Sequence, residues 1–186
     1  KAFPQQTSPW AWLHPAARSL VIDPRRQSRA DMIVSALVDL LPGLSVSLLN
    51  TQSSPKACMA HWLQEQEPPT GFAVDRECEL KSVRKEKSVV RYGRHPLDIA
   101  EVQQHIAQGK LPTKLAMTWD DRVSFVLTEG LVLKKIAFLD TVFEGTKADD
   151  GSFDTDVAIM TGGLAKLIPY LVEALGGEPE AEGGSE

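Results

Sequence analysis

Residues 118–140 read TWDDRVSFVLTEGLVLKKIAFLD, and the fold turns on whether the adjacent carboxylates Asp120 and Asp121 are chemical groups or punctuation. In a strand, neighbouring residues point to opposite faces, so the two could not share a metal ion. In a turn, aspartate is favoured because its carboxylate bonds nearby backbone donors. The flanking runs decide for the turn. TKLAMTW (113–119), RVSFVLT (122–128) and LVLKKIAFLD (131–140) are β-like, and Asp120-Asp121 and Glu129-Gly130 separate them as hairpin joints. The reading is a three-strand antiparallel meander in which Val123, Phe125 and Leu127 face a core while Arg122, Ser124 and Val126 form a mixed second face.

Working outward, WAWL (10–13) and SLVID (19–23) flank HPAAR as a hairpin. SRADMIVSALVDLLPG (28–43) repeats apolar residues at helical spacing, with Ser28 as N-cap, Asp31 in the capping-box position and Pro42-Gly43 as the stop. SVSLLN (45–50) reads as a strand and SPKACMAHWLQEQ (54–66) as a helix opened by Ser54 and Pro55. GFAVD (71–75) and SVVRY (88–92) are short strand candidates. DIAEVQQHIAQG (98–109) reads as a helix capped by Asp98, with Gly109 past its end. FDTDVAIM (153–160) reads as another strand, followed from about Thr161 by a last helix that Pro169 should bend. The expected class is α+β, with antiparallel sheets (a hairpin and the meander) and about four packed helices. The expected partition is an α/β portion at 1–70, a small basic tip-like portion at 71–112, the meander, strand and C-terminal helix at 113–176, and a disordered acidic tail at 177–186.

A chain of 186 residues can bury a sizeable core without staples. Cys58 and Cys78 lie far apart outside any C-x-x-C pair, so they read as reduced thiols rather than a disulfide or zinc framework. No apolar run approaches the ~20 residues of a membrane span. No signal segment opens the chain, and the expected setting is cytoplasmic without membrane contact. The start at Lys1, within KAFPQQTSP, reads as the start of a fragment.

Candidate chemistry is sparse. Asp154 and Asp156 share a face of the expected strand, and Asp140 could complete an oxygen-ligand site for magnesium; the competing reading is a solvated strand face. His14, His61, His95 and His105 never pair with a second ligand at helical spacing, and no serine sits in a G-x-S-x-G elbow. Gly162-Gly163 lacks the spacing and lysine of a phosphate loop. No catalytic residue, metal or cofactor is expected.

Charge is distributed unevenly. The net charge is −5, yet up to residue 135 there are 18 Lys and Arg against 14 Asp and Glu, and beyond it 2 against 11. Lys81, Arg84, Lys85, Lys87, Arg91 and Arg94 gather around the single Glu86, with Tyr92 interleaved. Such a cluster is either a solvated face or a track for a phosphate backbone that reads no bases.

Taken together, the opening KAF with its tryptophan-containing strand, GFAVDRECELKS (71–82), HIAQGKLPTKLAMTWDDRVSFVLTEGLVLKKIAFLD (105–140) and FDTDVAIMTGGLAKLIPYLVEALGGE (153–178) resemble the C-terminal half and more of the recombination-associated protein RdgC family. The resemblance implies a nucleoid-associated, non-enzymatic DNA-binding protein that forms a ring-like homodimer around duplex DNA and restrains RecA-driven strand exchange. It places the family's basic loop on Arg91, Arg94 and His95 and its basic-aromatic pair on Lys1 and Phe3, with Phe3 as an interface residue. The family's N-terminal portion has no counterpart in this chain, and the acidic overall balance departs from that of a typical nonspecific binder. Two rival functions are a protein-interaction module acting through the acidic C-terminal region and a magnesium nuclease using Asp154 and Asp156.

Overall fold

The computed structural model describes residues 8–24, 27–82, 88–142 and 152–179. Two compact units emerge, one up to Leu48 and one from Leu49 onward. In the first, strands β1 (Trp10–His14) and β2 (Ser19–Asp23) pair antiparallel, with Trp10 opposite Asp23 and His14 opposite Ser19. Pro15–Ala17 form a single 3-10 turn, closed where left-handed Arg18 donates its N–H to the Pro15 carbonyl at 3.0 Å. Helix α1 (Gln27–Leu40) follows.

The start of α1 differs from expectation. Ser28 lies inside the first turn, and Asp31 accepts from Gln27 Nε2 at 3.1 Å instead of completing a capping box. Beyond the helix, Gly43 takes φ 88°, a left-handed position that costs glycine little because it has no Cβ. Residues 45–50 form no strand. A strand needs a neighbour to take its backbone hydrogen bonds, and no described segment supplies one.

The second unit is a five-stranded antiparallel sheet in the order β4-β3-β5-β6-β7, with helices on one face. Helix α2 (Pro55–Glu65) begins as the sequence indicates: Pro55 opens it, and Ser54 Oγ accepts from the Ala57 N–H at 3.3 Å. β3 (Phe72–Ser82) is far longer than GFAVD alone, and β4 (Val89–Gly93) pairs along its edge. Between Val74↔Met117 and Cys78↔Leu115, β3 advances four residues while β5 advances two, a bulge that admits Asp75 and Arg76 without disturbing the inward side chains.

Helix α3 (Ala100–Ala107) starts after Ile99, which makes no side-chain cap; Asp98 sits one residue too early to cap it. Gly109, at φ 87°, ends it as expected. β5 (Lys110–Trp119), β6 (Val123–Thr128) and β7 (Leu133–Phe138) are the meander. Asp120 and Asp121 stand at φ 50° and 48° in its first turn, consecutive left-handed residues of the kind a primed hairpin turn uses, closed by the Arg122 N–H on the Trp119 carbonyl at 2.9 Å. The aspartates are punctuation.

The largest correction is α4, which runs unbroken from Phe153 to Ala174. Ser152 Oγ accepts from the Thr155 N–H at 3.3 Å and caps it, so 153–160 is helix rather than strand. The merged helix, with mean hydropathy 1.4 in its most apolar stretch, is long and apolar enough to cross a membrane by length and composition, contrary to expectation. Leu167 and Leu171 of this helix, and Leu175 at its C-cap, are buried in the protein core. There they join Leu63 of α2, Val102 of α3 and the sheet residues Leu80, Leu115, Met117, Phe125 and Leu127. The architecture is α+β, with four helices among the described residues.

Candidate nucleic-acid interface

The run Glu77-Cys78-Glu79-Leu80-Lys81 of β3 alternates between the two faces of the sheet. Cys78 and Leu80 enter the core, so Glu77, Glu79 and Lys81 point the other way. Register then decides what meets Glu79. Arg91 of β4 and Lys114 of β5 lie directly opposite it on its two sides. Arg91 Nε donates to Glu79 Oε2 at 2.7 Å, Lys114 Nζ to the same oxygen at 3.2 Å, and Thr113 Oγ1 to Oε1 at 2.9 Å. Lys81 Nζ stands 3.3 Å from Oε1.

Glu79 is 4 % exposed, and a carboxylate so buried is tolerated only when paired and hydrogen-bonded. The Arg91 hydrogen bond holds its carboxyl well below the usual carboxylate range; burial pushes the other way, and Thr113, Lys114 and Lys81 add to the lowering. The cations stay accessible: the side chains of Arg91, Lys81 and Lys114 are 72 %, 47 % and 39 % exposed. Three cations from three adjacent strands are thus oriented by one anion and still face solvent. Further along, Lys135 of β7 adopts φ 51° and reaches both Glu77 oxygens at 2.7 Å, spanning the intervening strands β5 and β6.

Of the expected site residues, Lys81 and Arg91 come together on Glu79. Arg94 follows β4 in a left-handed turn at φ 57°. The His95 N–H donates to the Arg76 carbonyl at 3.2 Å, and its Nδ1 donates to the Pro96 carbonyl at 2.8 Å. Arg84, Lys85, Lys87, Lys1 and Phe3 lie outside the described residues. Sequence reasoning missed Glu79, Thr113, Lys114 and the Lys135–Glu77 pair. The alternation of ECELK was the available signal for Glu79 and Lys81 sharing a face; nothing local announces Lys114, 35 positions from Glu79 in the chain.

The alternative chemistry finds no geometry. Asp154 and Asp156 occupy the first turn of α4, and helix residues two apart do not face each other. Asp140 begins a separate 3-10 turn after β7. Among the described residues, no three His, Cys, Asp or Glu side chains are grouped to hold a metal ion. Burial pushes the Cys78 thiol up to about 12, with the Glu79 charge adding to the rise; such a thiol is inert as a nucleophile.

The profile of the family described as "Putative exonuclease, RdgC" matches residues 1–178. The chain is 44 % identical over 185 residues to "Recombination-associated protein RdgC" of Dechloromonas aromatica, covering 96 % of this chain and 61 % of that protein. It is 45 % identical to the protein of the same name from Cupriavidus necator, covering 97 % and 62 %, and 43 % identical to that from Herminiimonas arsenicoxydans, covering 96 % and 61 %. The chain therefore spans about three-fifths of the length of these relatives, and it belongs to the RdgC family of recombination-associated proteins.

Proposed function

We propose that this chain supplies a sequence-independent, duplex-DNA-contacting surface to a protein that acts in homologous recombination. One observation carries the reading: Arg91, Lys81 and Lys114 are fixed side by side on the sheet face by Glu79 while remaining open to solvent. Cations held this way would meet successive phosphates with little further loss of side-chain freedom, and phosphate contacts carry no base information.

On this reading the whole protein works by binding and not by chemistry. It sits on the nucleoid in the cytoplasm, without membrane contact, as a ring-like homodimer around duplex DNA. There it restrains RecA-driven strand exchange by occupying the DNA. The relatives' names support the recombination role; the ring, the dimer and the antagonism of RecA rest on family resemblance.

The test is a titration of the chain onto two unrelated duplexes and one single strand at several salt concentrations. Log affinity should fall linearly with log salt, by about 0.9 for each phosphate neutralised, and equally for both duplexes. Binding that ignores salt refutes the proposal and favours recognition of a protein partner, and binding that differs between the duplexes by more than about tenfold refutes its sequence independence.

A further inference from the structure

Helix α3 ends beside the start of β5, and two side chains close the gap between them. Lys110 Nζ lies 3.0 Å from His105 Nδ1. An ammonium offers only protons, so at this distance Nδ1 presents its lone pair and Lys110 donates to it. The imidazole is therefore neutral, with its one proton on Nε2. That nitrogen faces Glu101 Oε1 at 3.7 Å, one turn back on the same side of the helix. Left-handed Gly109, at φ 87°, ends α3 and reverses the chain, so that Lys110 returns onto the ring.

The groups facing the ring from the elements around it are Glu101 on α3, Lys110 on β5 and Tyr92 on β4, whose ring centroid is 6.4 Å from that of His105. The Tyr92 hydroxyl is buried with no hydrogen-bond partner among the described residues. Burial, with the Glu101 charge adding, pushes its pKa up, so the phenol carries no charge in the neutral range. Helix α2 meets α3 through Gln103 Nε2, which donates to the Gln64 carbonyl at 3.0 Å, and neither group ionises. The ring is left as the group that can change charge here.

We propose that His105 is a proton-controlled latch: neutral, it holds Lys110 against the end of α3, and protonated, it keeps Glu101 and releases Lys110 to solvent. A second ring proton, on Nδ1, points straight at an ammonium that has no lone pair to accept it. The Lys110 contact and the imidazolium charge therefore exclude each other. On the other side the charge is favoured, because His105 stands in the last turn of α3 and one turn from a carboxylate. Histidine side chains change charge between about pH 5 and 8, so acidification through that range opens the latch. Lys110 pairs with Ser82 at the end of the β3–β5 ladder, and its release adds a solvent-facing cation at that end of the sheet. The latch acts whether or not the opposite face meets DNA.

The test takes two readings on this chain between about pH 8 and pH 5. Nitrogen NMR of His105 should show the Nε2–H tautomer at the upper end. Acylation of Lys110 by a soluble N-hydroxysuccinimide ester is counted against that of exposed Lys134 in the same sample, which cancels the reagent's own pH dependence. The ratio should rise about two- to tenfold as pH falls, the range set by the loss of one hydrogen bond. In His105→Gln it should stay level. An Nδ1–H tautomer at the upper end, or a level ratio in the unaltered chain, overturns the proposal. A rise that survives in His105→Gln overturns it too, by assigning the release to another group. The tautomer and the first ratio are read in the unaltered chain, so they decide even where the variant fails to fold.

Discussion

Glu79 and Arg91 stand directly opposite each other on adjacent strands, and Nε of the arginine makes the bond, at 2.7 Å. The guanidinium is thereby anchored by its inner edge while the side chain remains 72 % exposed. The anion fixes the cation without hiding it.

Glu79→Gln should lower stability by about 1–2 kcal/mol at pH 7, below the full value of its charge-assisted hydrogen bonds because the released cations can hydrate. Its folded pKa is depressed below the ordinary 4.5. The stabilisation is therefore fully present above that value and is lost as pH falls towards the folded pKa. Urea midpoints of the two proteins should differ at pH 7 and converge in increasingly acid buffer below about pH 4.5; a constant gap across pH would show that the carboxylate's charge is irrelevant.

Arg91→Gln combined with Lys114→Gln should flatten the plot of log affinity against log salt by about 0.9 per contact removed, to the same extent on unrelated duplexes. Isotherms at four or five salt concentrations measure it. An unaltered slope with unaltered affinity would move the DNA away from this sheet face.

Gly163 and Gly162 form a matched pair inside α4. A Cβ at Gly163 would come within 2.5 Å of Phe138 Cε1, whereas one at Gly162 meets nothing within 4 Å. Gly162→Ala should stabilise the fold by up to about 1 kcal/mol through helix propensity. Gly163→Ala should destabilise it by about 1–2 kcal/mol through overpacking, and Phe138→Leu in the same chain should recover part of the loss. Thermal melts decide; equal effects from the two glycines would deny the close approach of α4 to β7.

No degradation of linear duplex DNA is expected with magnesium or manganese, because Asp154 and Asp156 diverge around the first turn of α4. End-labelled DNA incubated with the chain is the assay. Metal-dependent shortening abolished by Asp154→Asn would reinstate the nuclease reading.

The meander is legible because its turns and strands speak together: consecutive aspartates between alternating apolar runs leave little else to form. α2 is equally plain from Ser54 and Pro55. The reading goes astray at 153–160, where Asp154, Thr155 and Asp156 interleave polar with apolar residues and imitate a strand; the decisive signal, Ser152 capping the N–H of Thr155, lies before that run. At 45–50 strand propensity is present and no described segment pairs with it, which no local pattern reveals. Asp98 fails as a cap by one residue. For the site, the sequence shows which cations crowd together but not that Glu79 collects them, because the meeting with Arg91 and Lys114 is made by sheet register.

The left-handed kink at Lys135 has a consequence for solubility. β7 is one outer strand of the sheet, and such a margin is an invitation to cross-molecular zippering. There the ladder shifts register between Ser124 and Val126, and the kinked residue is a lysine beside another, Lys134. A distorted, charged margin of this kind discourages foreign chains from adding on. Replacing Lys134 and Lys135 with apolar residues would remove that protection and leave an open edge for another strand to join.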